Sequence, residues 1–164
     1  MLEVKLNHRW LSMLTPILMT NVYGETDATP IKLKHVSDGD TIVTSDDTRI
    51  RLWGIDTPER DQQYGSHATA ALTEKLHEQQ LYLEIKDVDR YGRTVGVVYT
   101  ADGDEVNLDM VCEGHAWWYQ RYAEMAINYK QCQEDAQRNK RGLWAEESPV
   151  APWDWRGLQL TPQS

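Results

Sequence analysis

The chain has no phenylalanine, only two cysteines, and 17 basic residues against 26 acidic ones among its 164 positions. Each scarcity excludes something. Without Phe, the aromatic content is seven Trp and eight Tyr, whose polar atoms suit clefts and surfaces as well as cores. Two cysteines cannot build a disulfide-dense scaffold, and no His/Cys array has the spacing of a zinc site. Cys112 and Cys132 admit either one disulfide or two buried thiols that behave as small hydrophobes. The formal charge of −9 argues against a protein that coats nucleic acid, because phosphate neutralisation supplies most of that affinity. It leaves room for an enzyme that holds one phosphodiester through a local cationic site and a metal.

Long apolar runs are also missing. The most apolar stretch, residues 10–22, is too short for a confident membrane span. It follows a basic head of Lys5, His8 and Arg9 and precedes the small residue Gly24. That order is the pattern of an export signal over residues 1–24, with a secreted or periplasmic mature chain that keeps no stable membrane association. The other reading is a mobile or membrane-associated N-terminal arm. What remains is of single-domain size, with 40% hydrophobic and 26% charged residues.

Residues 25–30 form a polar connector, residues 31–145 carry the folded domain, and 146–164 make a tail holding prolines and tryptophans. Alternation predicts a strand over 31–36, a turn at Ser37-Asp38-Gly39-Asp40 with Gly39 free to take a positive φ, and a β-branched strand over 41–44. A third strand covers 49–52. Ala68, Leu72 and Leu76 then fall at helical spacing and predict a helix over 65–79. Strands at 81–87 and 93–99 flank a tight turn at Asp89-Arg90-Tyr91-Gly92. A short helix spans 106–113 with Asn107 as a possible N-cap and Gly114 as its stop, and a last helix spans 122–139. The segment SPVAPWDWRG reads as irregular chain pinned by its aromatics. Five strands and three helices make an α+β protein, and a small closed barrel of the oligonucleotide-binding (OB) class fits the count.

Two acidic clusters could hold a hard cation: Asp38-Gly39-Asp40 in a turn, and Asp56-Thr57-Pro58-Glu59 just past the third strand. Calcium takes several oxygen ligands in loose geometry, so Asp40 and Asp56 with a backbone carbonyl and waters would suffice. Alone, Asp-Gly-Asp is simply a turn. Arg51 and Arg93 change the weighting, because a guanidinium fork matches phosphate oxygens and keeps its charge. Two arginines, two aspartates and Glu59 brought to one point would make a phosphoryl-transfer site, with Glu59 orienting or deprotonating a water.

The runs VSDGDTIVTSDDTRIRLWGIDTPE, YGSHATAAL, DVDRYGRTVGVV, VNLDMVCEGHAWWY and RGLW, in that order, resemble the staphylococcal nuclease (thermonuclease) family from about Ile31 to Trp144. The closing PWDWR resembles a tail of bacterial members. The resemblance implies an OB-fold barrel with three helices that uses calcium to hydrolyse the 5′ P–O bond of DNA and RNA, leaving 3′-phosphate ends. It implies Asp40, Asp56 and the Thr57 carbonyl as metal ligands, Asp38 as an outer acid, and Arg51 and Arg93 as the phosphate clamp. Glu59 matches a glutamate described as general base, Tyr91 a tyrosine of the nucleotide pocket, and Arg90 a lysine that could contact a terminal phosphate. A second pocket tyrosine falls in register at Gln120, with Tyr119, the preferred candidate, and Tyr122 beside it. The expected protein is a monomeric hydrolase. Two other classes stay open: a noncatalytic nucleic-acid- or protein-binding module, and a structural calcium-binding surface protein. The joint presence of the acids and Arg51 and Arg93 disfavours both.

Overall fold

The computed structural model describes residues 27–160. The expected export signal over 1–24 therefore lies outside the described residues, as does the very end of the tail. Eight strands and four α-helices follow in the order β1 (Thr29–Ile31), β2 (Leu33–Asp38), β3 (Thr41–Thr44), β4 (Arg49–Leu52), β5 (Ile55–Asp56), α1 (Gly65–Leu76), β6 (Leu81–Val88), β7 (Thr94–Thr100), α2 (Val106–Cys112), β8 (Trp117–Trp118), α3 (Ile127–Arg138) and α4 (Pro152–Gln159). A short 3-10 turn, Gly142–Ala145, separates α3 from α4.

The expected first strand is broken at Lys32, and the break curls the sheet. β1 pairs with β6 while β2 pairs with β3, so adjacent pieces of chain lie at opposite ends of the order β1-β6-β7-β4-β3-β2. Register shifts in β2–β3 and in β6–β7 add bend. β4 and β7 pair in parallel, with Arg51 opposite Val95. The result is the α+β, OB-like curled sheet that the strand pattern predicts. Its concave side is filled by Ile42, Ile50, Leu52, Leu81 and Val98, closed over by Leu72 and Leu76 of α1, Met110 of α2 and Tyr129 of α3. Burying each such aliphatic side chain contributes about 1.5–3 kcal/mol before chain entropy is subtracted.

Several local readings change. Asn107 is not a cap, because the residue at the N-cap of α2 is Glu105. Asn107 is buried, donates to the carbonyls of Trp53 (2.9 Å) and Gly96 (3.1 Å), and accepts from the Val98 amide (3.0 Å). It fastens α2 to the β4–β7 seam. The last helix of the domain begins at Ile127, five residues later than its sequence pattern, because Trp118 Nε1 donates to the Ala123 carbonyl and holds 119–126 in turns. Gly39 is not among the residues with positive φ. It is needed for space: a Cβ there would lie 2.6 Å from Thr57 Oγ1.

The tail is the largest revision. Residues 152–159 form a fourth helix, begun by Pro152 at its N-terminus, where the missing N–H costs nothing. Acidic Asp154 in its first turn and basic Arg156 in its last both complement the helix dipole. Trp153 packs edge-on to Trp117 (5.6 Å between centroids) and stacks on Tyr119 (5.4 Å, 28°). The aromatics do pin this segment, as expected, but they pin a helix. Cys112 and Cys132 form a disulfide that joins α2 to α3, so of the two readings of these cysteines the bonded one holds.

Candidate active site

The site is assembled by strand register. β3 and β4 run antiparallel with Thr41 opposite Arg51, and the Leu52 amide donates to the Asp40 carbonyl (2.8 Å). Asp40 therefore sits beside the strand that carries Arg51. The chain then turns through Trp53 and Gly54, and the short β5–β8 pairing sets Asp56 opposite Trp117. Thr57 closes the circuit: its amide (2.9 Å) and hydroxyl (3.1 Å) both donate to Asp40 Oδ2. The Gly39 turn can press against Thr57 only because it lacks a Cβ.

Arg51 lies between the two acids. Its Nη1 is 2.9 Å from Asp40 Oδ2 and its Nη2 is 2.9 Å from Asp56 Oδ1. All three side chains are nearly buried, with 15%, 10% and 3% exposure for Arg51, Asp40 and Asp56. Burial raises the Asp56 pKa; the hydrogen bond from Arg156 opposes this, the Asp40 charge adds to it, and the Arg51 charge opposes it. Asp38, whose Oδ1 accepts from the Asp40 amide (3.2 Å), is pushed up to about 6 by burial and by the neighbouring Asp40 charge.

Glu59 stands at the rim, 39% exposed. Its amide donates to Gln62 Oε1 (3.1 Å) and its carbonyl accepts from the Gln62 amide (2.9 Å). Gln62 is itself buried and donates to the Val150 carbonyl (2.6 Å). The loop that carries Glu59 is thus tied to the segment leading into α4.

The other candidates make their bonds and ring contacts outside this cluster. Arg93 enters β7 beside β4, but its Nε donates to Asp89 Oδ2 (2.7 Å) within its own turn. Arg90 donates to the Tyr91 hydroxyl (2.7 Å), and both Arg90 and Arg93 lie over the exposed Tyr91 ring. Tyr119 is half-buried between Tyr122 and Trp153. The structure therefore brings Asp38, Asp40, Arg51, Asp56, Thr57 and Glu59 together. It places Arg90, Tyr91 and Arg93 in one separate turn, and Tyr119 on an aromatic stack after β8.

One residue of the cluster has no counterpart in the sequence reading. Arg156 of α4 donates from Nη2 to Asp56 Oδ2 (2.8 Å) and from Nη1 to Glu59 Oε1 (2.6 Å). Burial works against its charge, but the bonds to Asp56 and Glu59 outweigh this and raise its pKa. The only sequence signal for it was a lone arginine in the PWDWR segment, 100 positions from Asp56.

Among the described residues no group of three or more His, Cys, Asp or Glu side chains is set to hold a metal ion. The donor set that the resemblance implies is smaller: two carboxylates and a backbone carbonyl, all oxygen. Two nearly buried, mutually repelling carboxylates fit a hard cation completed by waters, as calcium is.

The fold and site define an α+β protein whose OB-like curled sheet carries two nearly buried carboxylates bridged by arginine. The chain belongs to the staphylococcal nuclease homologue family, whose model matches residues 49–146. That match includes Arg51, Asp56, Thr57, Glu59 and Arg93; Asp40 and Arg156 lie outside it. The chain is 38% identical over 144 residues to a protein of Escherichia coli O157:H7 named "Uncharacterized endonuclease", covering 86% of this chain and 89% of the relative. It is 37% identical over 133 residues to the "Micrococcal nuclease" of Shigella flexneri, covering 74% and 76%. A Haemophilus influenzae protein, also named "Uncharacterized endonuclease", is 38% identical over 125 residues, covering 74% and 69%.

Proposed function

We propose that this protein is a calcium-dependent phosphodiesterase that hydrolyses DNA and RNA to products with 3′-phosphate ends. The observation that carries the reading is Arg51 bridging Asp40 and Asp56 in a nearly buried cluster. The nuclease names of the relatives support it.

In this reading Asp40, Asp56 and the Thr57 carbonyl would hold calcium. Calcium held there would supply Lewis-acid polarisation of a phosphoryl oxygen. Arg51 holds the two acids in place and offers its fork to the phosphoryl oxygens. Arg93 leaves Asp89 to complete that clamp, and the two guanidinium groups stabilise the charge that builds in the transition state. Glu59 orients the attacking water and accepts its proton. The water oxygen bonds to phosphorus, the P–O5′ bond breaks, and the departing 5′ oxygen takes up a proton. Arg90, Tyr91 and Tyr119 contact the nucleotide, and Asp38 supports Asp40 from the outer shell. The Cys112–Cys132 bond supports a life in an oxidising compartment, secreted or periplasmic, and the chain works as a monomer.

The test is digestion of single-stranded DNA and of RNA with calcium and with excess chelator, the ends identified by mass spectrometry. The expected result is cleavage with calcium only, giving 3′-phosphate and 5′-hydroxyl ends. Activity that survives the chelator removes the metal from the mechanism. Ends carrying 5′-phosphate overturn the bond assignment. Binding without cleavage returns the protein to the class of noncatalytic modules.

A further inference from the structure

Arg156 occupies a position that the proposed chemistry does not explain. Both oxygens of Asp56 are already engaged by arginine: Oδ1 by Arg51 Nη2 at 2.9 Å and Oδ2 by Arg156 Nη2 at 2.8 Å. The second nitrogen of Arg156 reaches Glu59 Oε1 at 2.6 Å. One guanidinium thus spans an acid assigned to the metal and the acid assigned to the water. A divalent ion on Asp56 would bring a second strong positive charge against Arg156 through the same carboxylate.

The geometry of Asp56 points the same way. Calcium on Asp56 would need carboxylate oxygen that Arg156 now holds, so ion and guanidinium compete for one group, and Arg156 has to turn away. The released guanidinium then needs an anion, and the substrate brings a phosphodiester of single negative charge, whose oxygens a guanidinium fork matches.

The two arginines differ in their freedom to make that exchange. Arg51 leaves a strand and is 15% exposed, whereas Arg156 is 44% exposed. Its helix is anchored without it: Trp153 sits on Trp117 and Tyr119, and Gln159 Nε2 donates to Asp61 Oδ2 at 2.9 Å. The side chain can therefore swing while α4 stays docked.

We propose that Arg156 is a third phosphate-binding arginine of this site, held on Asp56 and Glu59 as their counter-cation until calcium takes Asp56 and the substrate phosphodiester takes the guanidinium. This rests on the function proposed above. α4 then forms one wall of the nucleotide site, with Trp153 backing Tyr119.

The experiment has two arms on the full chain. Calcium binding is measured by titration calorimetry without nucleic acid, for the wild-type protein, Arg156→Gln and Arg156→Lys. Then kcat and KM are measured on single-stranded DNA at saturating calcium. Arg156→Gln is expected to bind calcium about tenfold more tightly and to show a KM about tenfold higher, with kcat changed less; Arg156→Lys falls between. Opposite signs in the two arms cannot come from simple loss of folding, and the conservative variant guards against it. Calcium affinity that is unchanged or weaker in Arg156→Gln overturns the counter-cation role, and an unchanged KM overturns the phosphate role. A wild-type chain that neither binds calcium nor cleaves DNA removes the proposed function, and this inference with it. A wild-type chain that does both, alongside an indistinguishable Arg156→Gln, overturns this inference alone.

Discussion

The face formed by β3, β4 and β5 and the turn at residues 89–93 both carry arginine and aspartate, yet they are built on different principles. On the first, Asp40, Arg51 and Asp56 are held by strand register, buried, and bonded to one another. In the second, Arg93 and Asp89 meet four residues apart in a part-buried ion pair, and Arg90 and Tyr91 project beside them. The first region is held by register and burial before a ligand arrives, and in the inference above its exposed Arg156 is the group that turns away. The second must release a part-buried ion pair to act. In the proposed function the register-held face would carry the metal and one arginine of the clamp, and the turn the other.

The sharpest way to break the contrast is Arg51→Ala. It leaves Asp40 and Asp56 nearly buried without the cation between them, so a stability loss of about 3 kcal/mol or more is expected in denaturant unfolding. Turnover of single-stranded DNA should fall more than about a hundredfold. If stability stays normal, the face is not organised by that arginine. Arg93→Ala should separate the two effects. Turnover falls by roughly a hundredfold, while unfolding free energy moves by no more than about 0.5 kcal/mol. A near-normal rate would deny Arg93 any part in the clamp.

Two glycines give the smallest and finest test. Gly39→Ala drives a Cβ to within 2.6 Å of Thr57 Oγ1, so a loss of about 1–3 kcal/mol from overpacking is expected, with weaker calcium binding. At Gly92 a Cβ would meet nothing within 4 Å, but φ is +76°, so Gly92→Ala should cost about 1 kcal/mol through backbone strain and leave calcium affinity alone. Equal effects on calcium binding from both variants would mean that the two regions are not independent.

How much of this was legible follows from how each contact is made. Asp40, Arg51, Asp56, Thr57 and Glu59 lie within 20 positions of one another, on short strands and the turns beside them. Alternation predicts those strands, and antiparallel pairing then brings Arg51 to Thr41, next to Asp40. The helical spacing of Ala68, Leu72 and Leu76 likewise marks the buried face of α1. Asn107 was misread because an asparagine near a helix start has two uses, capping and cross-linking. Which one applies depends on the carbonyls of Trp53 and Gly96, on other elements. Gly39 was correctly suspected for the wrong reason, since its neighbour Thr57 is distant in sequence. The tail looked irregular because two prolines and two tryptophans suggest a loop, yet the second proline starts a helix as readily as it ends one.

The sequence by itself determined the sheet-forming runs, the acids and Arg51 of the face, the family, and the presence of two cysteines able to pair. These depend on local periodicity and on motif spacing, which are properties of the chain. Tertiary structure alone decided that Cys112 meets Cys132 between α2 and α3, that Gln62 binds the segment before α4, and that Arg156 reaches Asp56 and Glu59. Those contacts join residues from 20 to 100 positions apart. They form only once hydrophobic burial has folded the sheet and docked Trp153 on Trp117 and Tyr119, because no local rule couples residues at such separations.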